Sequence, residues 1–297
     1  MLQFLLDTLL RTADLALITL GLSLLYGLVK FPNIAHVQYA MVGAFLAYAF
    51  FSYGVPLIGA LGLSALLTGV ITLVVQLLVF NRLLKSGPAI AMIGSLAISM
   101  LLIATVLGIA GSFPHMFSLP YMEPAVIGDA RLSKTQLWFM LATAALLIIF
   151  VLLLFYTQVG RAMRALASNP ALADASGLNA ARITNGVTLL SGALAGLGGG
   201  MLALSGGAHV NLGNDLLLPV FAAAILGGLG NPLGAVGGAL LIALTETVVT
   251  NIDFGFLFGR NLVFLPVSYI SAASFLILLL ALLFKPHGLF DREVRRV

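Results

Sequence analysis

Between Lys30 and Arg82 the chain reads FPNIAHVQYA-MVGAFLAYAF-FSYGVPLIGA-LGLSALLTGV-ITLVVQLLVF-N, residues 31–81, without one charged side chain. Roughly 20 apolar residues at about 1.5 Å per residue cross about 30 Å of hydrocarbon. These 51 residues therefore hold two membrane helices, and Ser52-Tyr53-Gly54 followed by Pro56 marks the turn between them. The intervals Lys85 to Glu123 (37 uncharged residues), Lys134 to Arg161 (26), Arg182 to Asp215 (32) and Arg260 to Lys285 (24) each hold one helix more. Asp215 to Glu246 spans 30 uncharged residues, but Gly227-Gly228-Leu229-Gly230-Asn231-Pro232 interrupts them, so two shorter helical pieces are expected there. An N-terminal helix over about Leu9–Val29 carries Arg11 and Asp14 near its start, where they can snorkel or pair. Arg11 is the first basic residue and no small-residue cleavage site follows a short apolar run, so no cleaved leader is expected.

The rest of the composition agrees. Of 297 residues, 61% are hydrophobic and 8% charged, against about 25% charged in soluble domains. A water-soluble enzyme and a nucleic-acid binder are excluded. The absence of cysteine excludes disulfides, thiol nucleophiles and cysteine-ligated metals. The reading is an all-α polytopic membrane protein of about eight to nine transmembrane helices, one pair around residues 216–250 being broken or re-entrant. It forms a single domain over 1–297, with a cytoplasmic loop at 157–182 and a cytoplasmic tail at 285–297.

Orientation follows from the cations. With the loop Thr157–Arg182 inside, alternation also places Lys30, Arg82, Lys85, Arg161, Arg164, Arg182, Lys285, Arg292, Arg295 and Arg296 inside, ten of the fourteen Lys and Arg. Arg11, Arg131, Lys134 and Arg260 fall outside, each with an acidic residue nearby. The N-terminus is then outside and the C-terminus inside.

Motifs for chemistry are sparse. No His-Glu-x-x-His pair, G-x-S-x-G elbow or P-loop occurs, and His36, His115, His209 and His287 are scattered. An intramembrane serine protease built on Ser191 and His209 stays open as a minor reading. Gly192, Gly196 and Gly200 recur on one helix face, with Gly234 and Gly238 after the break. Such faces admit close helix packing, or they line a pathway. The loop carries the sharpest signal. Asn169 suits an N-cap, Pro170 the first helical position and Gly177 the residue after the end, which defines a helix of about two turns. A helix that short is not stable alone in water, so it docks on something or is merely a connection.

Here a resemblance emerges. Val159-Gly160-Arg161-Ala162-Met163-Arg164-Ala165, followed by Ala173 and Gly177-Leu178, resembles the coupling loop of ABC-importer membrane subunits. More narrowly, it resembles the LivH-like permeases of branched-chain, or hydrophobic, amino acid uptake. Tyr26-Gly27, Asn33–His36 and Met41–Ala44 agree with that family, as do Ala224–Ala235, Gly237-Gly238 and Glu246, over about residues 20–285. Two departures stand out: Val37-Gln38 replaces the family's glycine and acidic residue, and Ala171-Leu172-Ala173 stands where ABC importers favour Glu-Ala-Ala.

The resemblance implies the permease subunit of a binding-protein-dependent importer. It would work with a second related permease, two cytoplasmic ATPase subunits and an extracytoplasmic solute-binding protein, in the lipid of the inner membrane and with no nucleic acid. The chain would bind no cofactor and have no enzymatic activity of its own; ATP and Mg belong to the partners. Gly160, Arg161, Arg164, Asn169, Pro170, Ala173 and Gly177 would couple to the ATPase. A small zwitterion or neutral solute should not be held by a buried full charge. The translocation path is therefore expected at Asn33, His36 and Gln38 and at Gly227, Gly228, Gly230, Gly234 and Gly238, although His36 could simply bond a neighbouring helix. Glu246 is expected at the outer interface or on a partner subunit. Branched-chain amino acids, urea, short amides and aromatic acids remain open as solutes. An ion-coupled secondary transporter or a channel is the competing class.

Overall fold

The computed structural model describes residues 1–119, 124–251, 269–285 and 288–289. The expected outer pairings of Glu123, Asp253 and Arg260, together with His287 and the tail cations Arg292, Arg295 and Arg296, lie outside the described residues.

Six described helices are long and apolar enough to cross a membrane. They are α1 (Leu2–Val29), α3 (Leu57–Val75), α5 (Pro88–Ala110), α6 (Lys134–Tyr156), α9 (Ala180–Gly206) and α11 (Pro232–Asn251). The rod of α3 runs on through a π turn (Gln76–Phe80), the short α4 (Asn81–Leu83) and a 3-10 turn (Leu84–Ser86). Shorter are α2 (His36–Ser52), α10 (Leu212–Gly227) and α12 (Ile270–Phe284). Two small helices, α7 (Gln158–Ser168) and α8 (Pro170–Ala175), stand between α6 and α9.

α1 is the axle of the bundle. Its residues Leu15, Ile18 and Leu22 belong to a core shared with α2, α10 and α11, while Leu17, Leu20 and Leu24 face α6, α7 and α9. Lipid tails are as apolar as leucine, so close packing rather than the hydrophobic effect holds such helices together. Small residues provide it. A Cβ at Gly43 of α2 would overlap the backbone of Gly196 in α9, and one at Gly199 would overlap Ala40, so the α2 and α9 backbones touch. The outer surface is the reverse: Ile93, Met100 and Ile109 on α5 and Trp138, Ile148 and Ile149 on α6 are exposed. Apolar surface on that scale suits lipid rather than water.

Between α1 and α2 the chain is buried but not helical. Lys30 ends α1 in the left-handed conformation (φ 54°) with its N–H on the Tyr26 carbonyl, and Pro32 cannot continue the helix. Buried irregular backbone needs internal hydrogen-bond partners. Here the Ile34 N–H donates to Ser95 Oγ and the Ala35 N–H to Asn33 Oδ1. Phe31 packs on Phe80 with ring centroids 5.4 Å apart.

Three expectations are corrected. The fold is not purely α: β1 (Ala125–Ile127) and β2 (Ala130–Leu132) form an antiparallel hairpin, its two-residue loop led by Gly128 at φ 61°. It is tied to the start of α1, where the Arg131 N–H donates to Gln3 Oε1. α1 begins at Leu2 rather than near Leu9. The loop at 157–182 holds two helices rather than the one expected, because Thr157 caps a helix ahead of Asn169. The interrupted pair is a helical hairpin, α10 and α11, whose turn meets Gly27 near the Lys30 end of α1.

Candidate functional site

The 157–182 segment is built from caps. Thr157 closes α6 by donating its hydroxyl to the Leu153 carbonyl (2.6 Å), and opens α7 by accepting from the Gly160 N–H (3.1 Å). Gly160 must be glycine, since a Cβ there would strike the Leu153 and Leu154 carbonyls of the tight elbow. α7 turns Gly160, Met163 and Leu166 inward and leaves Arg161, Arg164 and Ala165 exposed. Arg164 folds back to donate to the Leu154 carbonyl, its guanidinium 5.0 Å above the Phe155 ring. Asn169 is extended (φ −150°), which ends α7, and its Oδ1 accepts from the Leu172 N–H at the start of α8. Pro170 takes the first helical position as expected.

Gly177 ends α8 with φ 81° and its N–H on the Asp174 carbonyl. A Cβ there would meet nothing within 4 Å, so backbone conformation alone calls for glycine. Ala173 is buried against its own chain, whereas Leu172 is 64% exposed. The large apolar side chain that α8 exposes is therefore Leu172, a residue the sequence reading does not single out.

The expected path residues do not come together. Asn33, His36 and Gln38 are buried and each makes an internal hydrogen bond, although Gln38 Oε1 has no partner among the described residues. His36 Nε2 lies 3.0 Å from the Ile18 carbonyl of α1, which makes that nitrogen the donor, and its Nδ1 faces Ser191 Oγ of α9 at 3.4 Å. Gln38 donates to Asn214 at the start of α10, some 20 Å by helical rise from the glycines at its other end. In this conformation His36 and Gln38 fasten α2 to its neighbours, while Asn33 braces the turn into α2 by accepting from the Ala35 N–H. The glycines also serve packing. Gly227 and Gly234 place the backbones of α10 and α11 in contact, and Gly238 lies against the Ala223 carbonyl. Gly228 and Gly230 take φ 89° and 91° in the turn. Asn231 Oδ1 accepts from the Gly234 N–H, and the Leu289 N–H reaches the Leu226 carbonyl.

The alternative sites resolve similarly. Ser191 donates to the Gly21 carbonyl at 2.7 Å and neighbours His36, while His209 pairs with Asp215, so the Ser191–His209 pair does not form. Glu246 is not at an outer interface. It is buried, with Oε2 2.5 Å from Arg11 Nε and Oε1 accepting from the Ser274 hydroxyl of α12. Asp14 stands 3.8 Å from the other side of Arg11.

Comparison with known proteins follows the same lines. The family described as "Branched-chain amino acid transport system / permease component" matches residues 4–284. The probable branched-chain amino acid transport permease LivH of Methanocaldococcus jannaschii is 30% identical over 287 residues, 93% of this chain and 88% of that one. The high-affinity branched-chain amino acid transport system permease BraD of Pseudomonas aeruginosa is 27% identical over 95% of this chain and 93% of its own. The corresponding LivH of Escherichia coli K12 is 25% identical over the same shares. Among solved structures, a chain described as of metal-chelate ABC transporter type, in an inward-facing conformation, aligns over 96% of this chain and 87% of its own, with a TM-score of 0.49 and 20% identity.

Proposed function

This chain belongs to the branched-chain amino acid transport permease family, and from that premise we propose that it carries branched-chain or other small amino acids across the inner membrane as the permease subunit of an ABC importer. Its partners are a second related permease, two ATPase subunits on the cytoplasmic face and a solute-binding protein on the other. The short helices α2, α10 and α12 join the six long ones to give nine crossings, N-terminus outside and C-terminus inside, with α7 and α8 in the cytoplasm.

The observation that carries this reading is the α7–α8 elbow. It is a doubly capped pair of short helices standing off the end of the apolar bundle, with Arg161 and Leu172 exposed and Met163, Leu166 and Ala173 facing inward. Closure of the ATPase pair pushes on α8. α7 passes the push to α6 through Thr157 and to the Lys30 end of α1, where the Lys30 ammonium meets the Ala167 carbonyl at 3.3 Å. The α10–α11 turn abuts the same end of α1 through Gly27 and Gly230. Binding of ATP favours one arrangement of these helices over the other, which is a population shift. The buried acid of the competing, ion-coupled reading is Glu246, and it is tied to Arg11, which it shares with Asp14.

The test is leucine uptake in proteoliposomes that hold the chain with its partners. Accumulation is expected to require both ATP and the binding protein. Gly177→Arg is expected to abolish uptake while complex abundance holds, because a side chain at φ 81° costs about 1–2 kcal/mol and adds bulk to the docking face. Uptake driven by an ion gradient without ATP, or normal uptake with Gly177→Arg, contradicts the reading.

A further inference from the structure

A cavity of about 560 Å³ opens between the end of α1, the α6–α7 elbow, the start of α9 and the α10–α11 turn. Its wall is largely apolar, with Leu24, Leu28, Leu154 and Met163 among its residues, and it lies on the bundle side of α7. Two cations, Lys30 and Arg164, stand in it, and among the described residues no acidic side chain lines it.

Each cation is oriented by a backbone carbonyl at the cavity. Lys30 is the one non-glycine residue with positive φ among the described residues, an arrangement uncommon enough to ask what it achieves. It caps α1 and brings Nζ to the Ala167 carbonyl at the end of α7. Arg164 is anchored by the Leu154 carbonyl and the Phe155 ring. An ammonium carries three donors and a guanidinium five, so each keeps free N–H groups after these bonds. Among the described residues neither forms an ion pair with a carboxylate. The N-terminal end of α11, at Asn231 and Pro232, opens on the same space and adds the partial positive charge of a long helix.

We propose that this cavity binds a phosphate-bearing anion, the headgroup of an acidic phospholipid drawn from the leaflet on the α7 side. Two donor-rich cations match a phosphate, and basic pockets between membrane helices hold such headgroups. The volume falls in the range of small-molecule sites, roughly 300–1,000 Å³. The apolar wall selects lipid over free phosphate, because a bare ion would leave Leu24, Leu28 and Met163 facing water. A bound headgroup clamps α7 to α1 and α11. The assignment stands on the cavity itself and is independent of which solute the protein carries.

The test is native mass spectrometry of the purified full-length chain with phosphatidylglycerol, phosphatidylcholine or inorganic phosphate. One phosphatidylglycerol is expected to bind in preference to phosphatidylcholine, and millimolar phosphate is expected not to displace it. Lys30→Asn tolerates the left-handed conformation and, combined with Arg164→Gln, is expected to weaken binding roughly thirtyfold. The charge-preserving pair Lys30→Arg and Arg164→Lys should retain most of it, which separates loss of charge from loss of fold. Arg131→Gln, near the opposite end of α1, should change nothing. Equal binding of the two lipids, unchanged binding in the neutral pair, or an equal loss with Arg131→Gln would overturn the site. Phosphate that binds alone with the same dependence on the cations, and displaces the lipid, would overturn the lipid assignment.

Discussion

Glu246 shows how a single side chain can be misjudged from its neighbours in sequence. Its carboxylate is only 2% exposed and is held between Arg11 of α1 and Ser274 of α12. Sequence proximity links Arg11 to Asp7 or Asp14, and Asp14 does lie at 3.8 Å, but the closer partner stands 235 residues away and no local pattern announces it. Removing one member of a buried pair is worse than replacing both with apolar groups. Glu246→Gln is expected to destabilise the protein by about 1–3 kcal/mol, whereas Arg11→Gln with Glu246→Leu, whose new amide can still donate to Asp14, recovers most of that loss. Thermal unfolding of the purified chain measures both. A double variant no more stable than Glu246→Gln would mean that the pair does more than fasten α1 to α11.

At the scale of elements, the helices were legible wherever length and the absence of charge sufficed. The turn at Ser52–Pro56 and the break at Gly227–Pro232 are where residues 31–81 and 215–246 place them. α7 was missed although its signals are present: the alanines and arginines of Gln158–Ser168 favour helix, Val159, Met163 and Leu166 share one face, and Thr157 is the cap that starts it. The hairpin at 125–132 is too short to carry a periodic signal. Glycine repeats at 192–200 and 227–238 mark close backbone approach, yet sequence cannot say whether a helix or a solute comes close. Burial of His36 and Gln38 depends on Ile18, Ser191 and Asn214, all distant in sequence. Position within one helix therefore decides what a glycine does. Gly43→Leu is expected to force α2 from α9 and abolish recovery of folded protein, because its Cβ would enter the Gly196 backbone. Gly186→Leu on α9, with open space around it, should be recovered in normal yield and be slightly more helical. Yield and monodispersity after detergent extraction decide, and equal behaviour of the two variants would contradict the packing described.

For the whole molecule, the features that bear on function collect at one end. The Lys30 cap, the α6–α7 elbow, α8, the α10–α11 turn and the cationic cavity share it, while the β-hairpin sits by the start of α1 at the other. This polarity is what an importer subunit requires: an ATP-driven push enters at the cytoplasmic face and shifts helices that extend to the opposite one. The absence of native cysteine makes the central claim, that α8 is the cytoplasmic contact for the ATPase, directly measurable. A single Leu172→Cys is to be probed with a membrane-impermeant thiol reagent in inside-out vesicles, with and without the ATPase subunits, alongside Gly128→Cys in intact cells. The account predicts that Leu172→Cys reacts from the cytoplasmic side and is protected when the ATPase is present, and that Gly128→Cys reacts from outside. Labelling of Leu172→Cys from outside, or equal labelling with and without the ATPase, would contradict it.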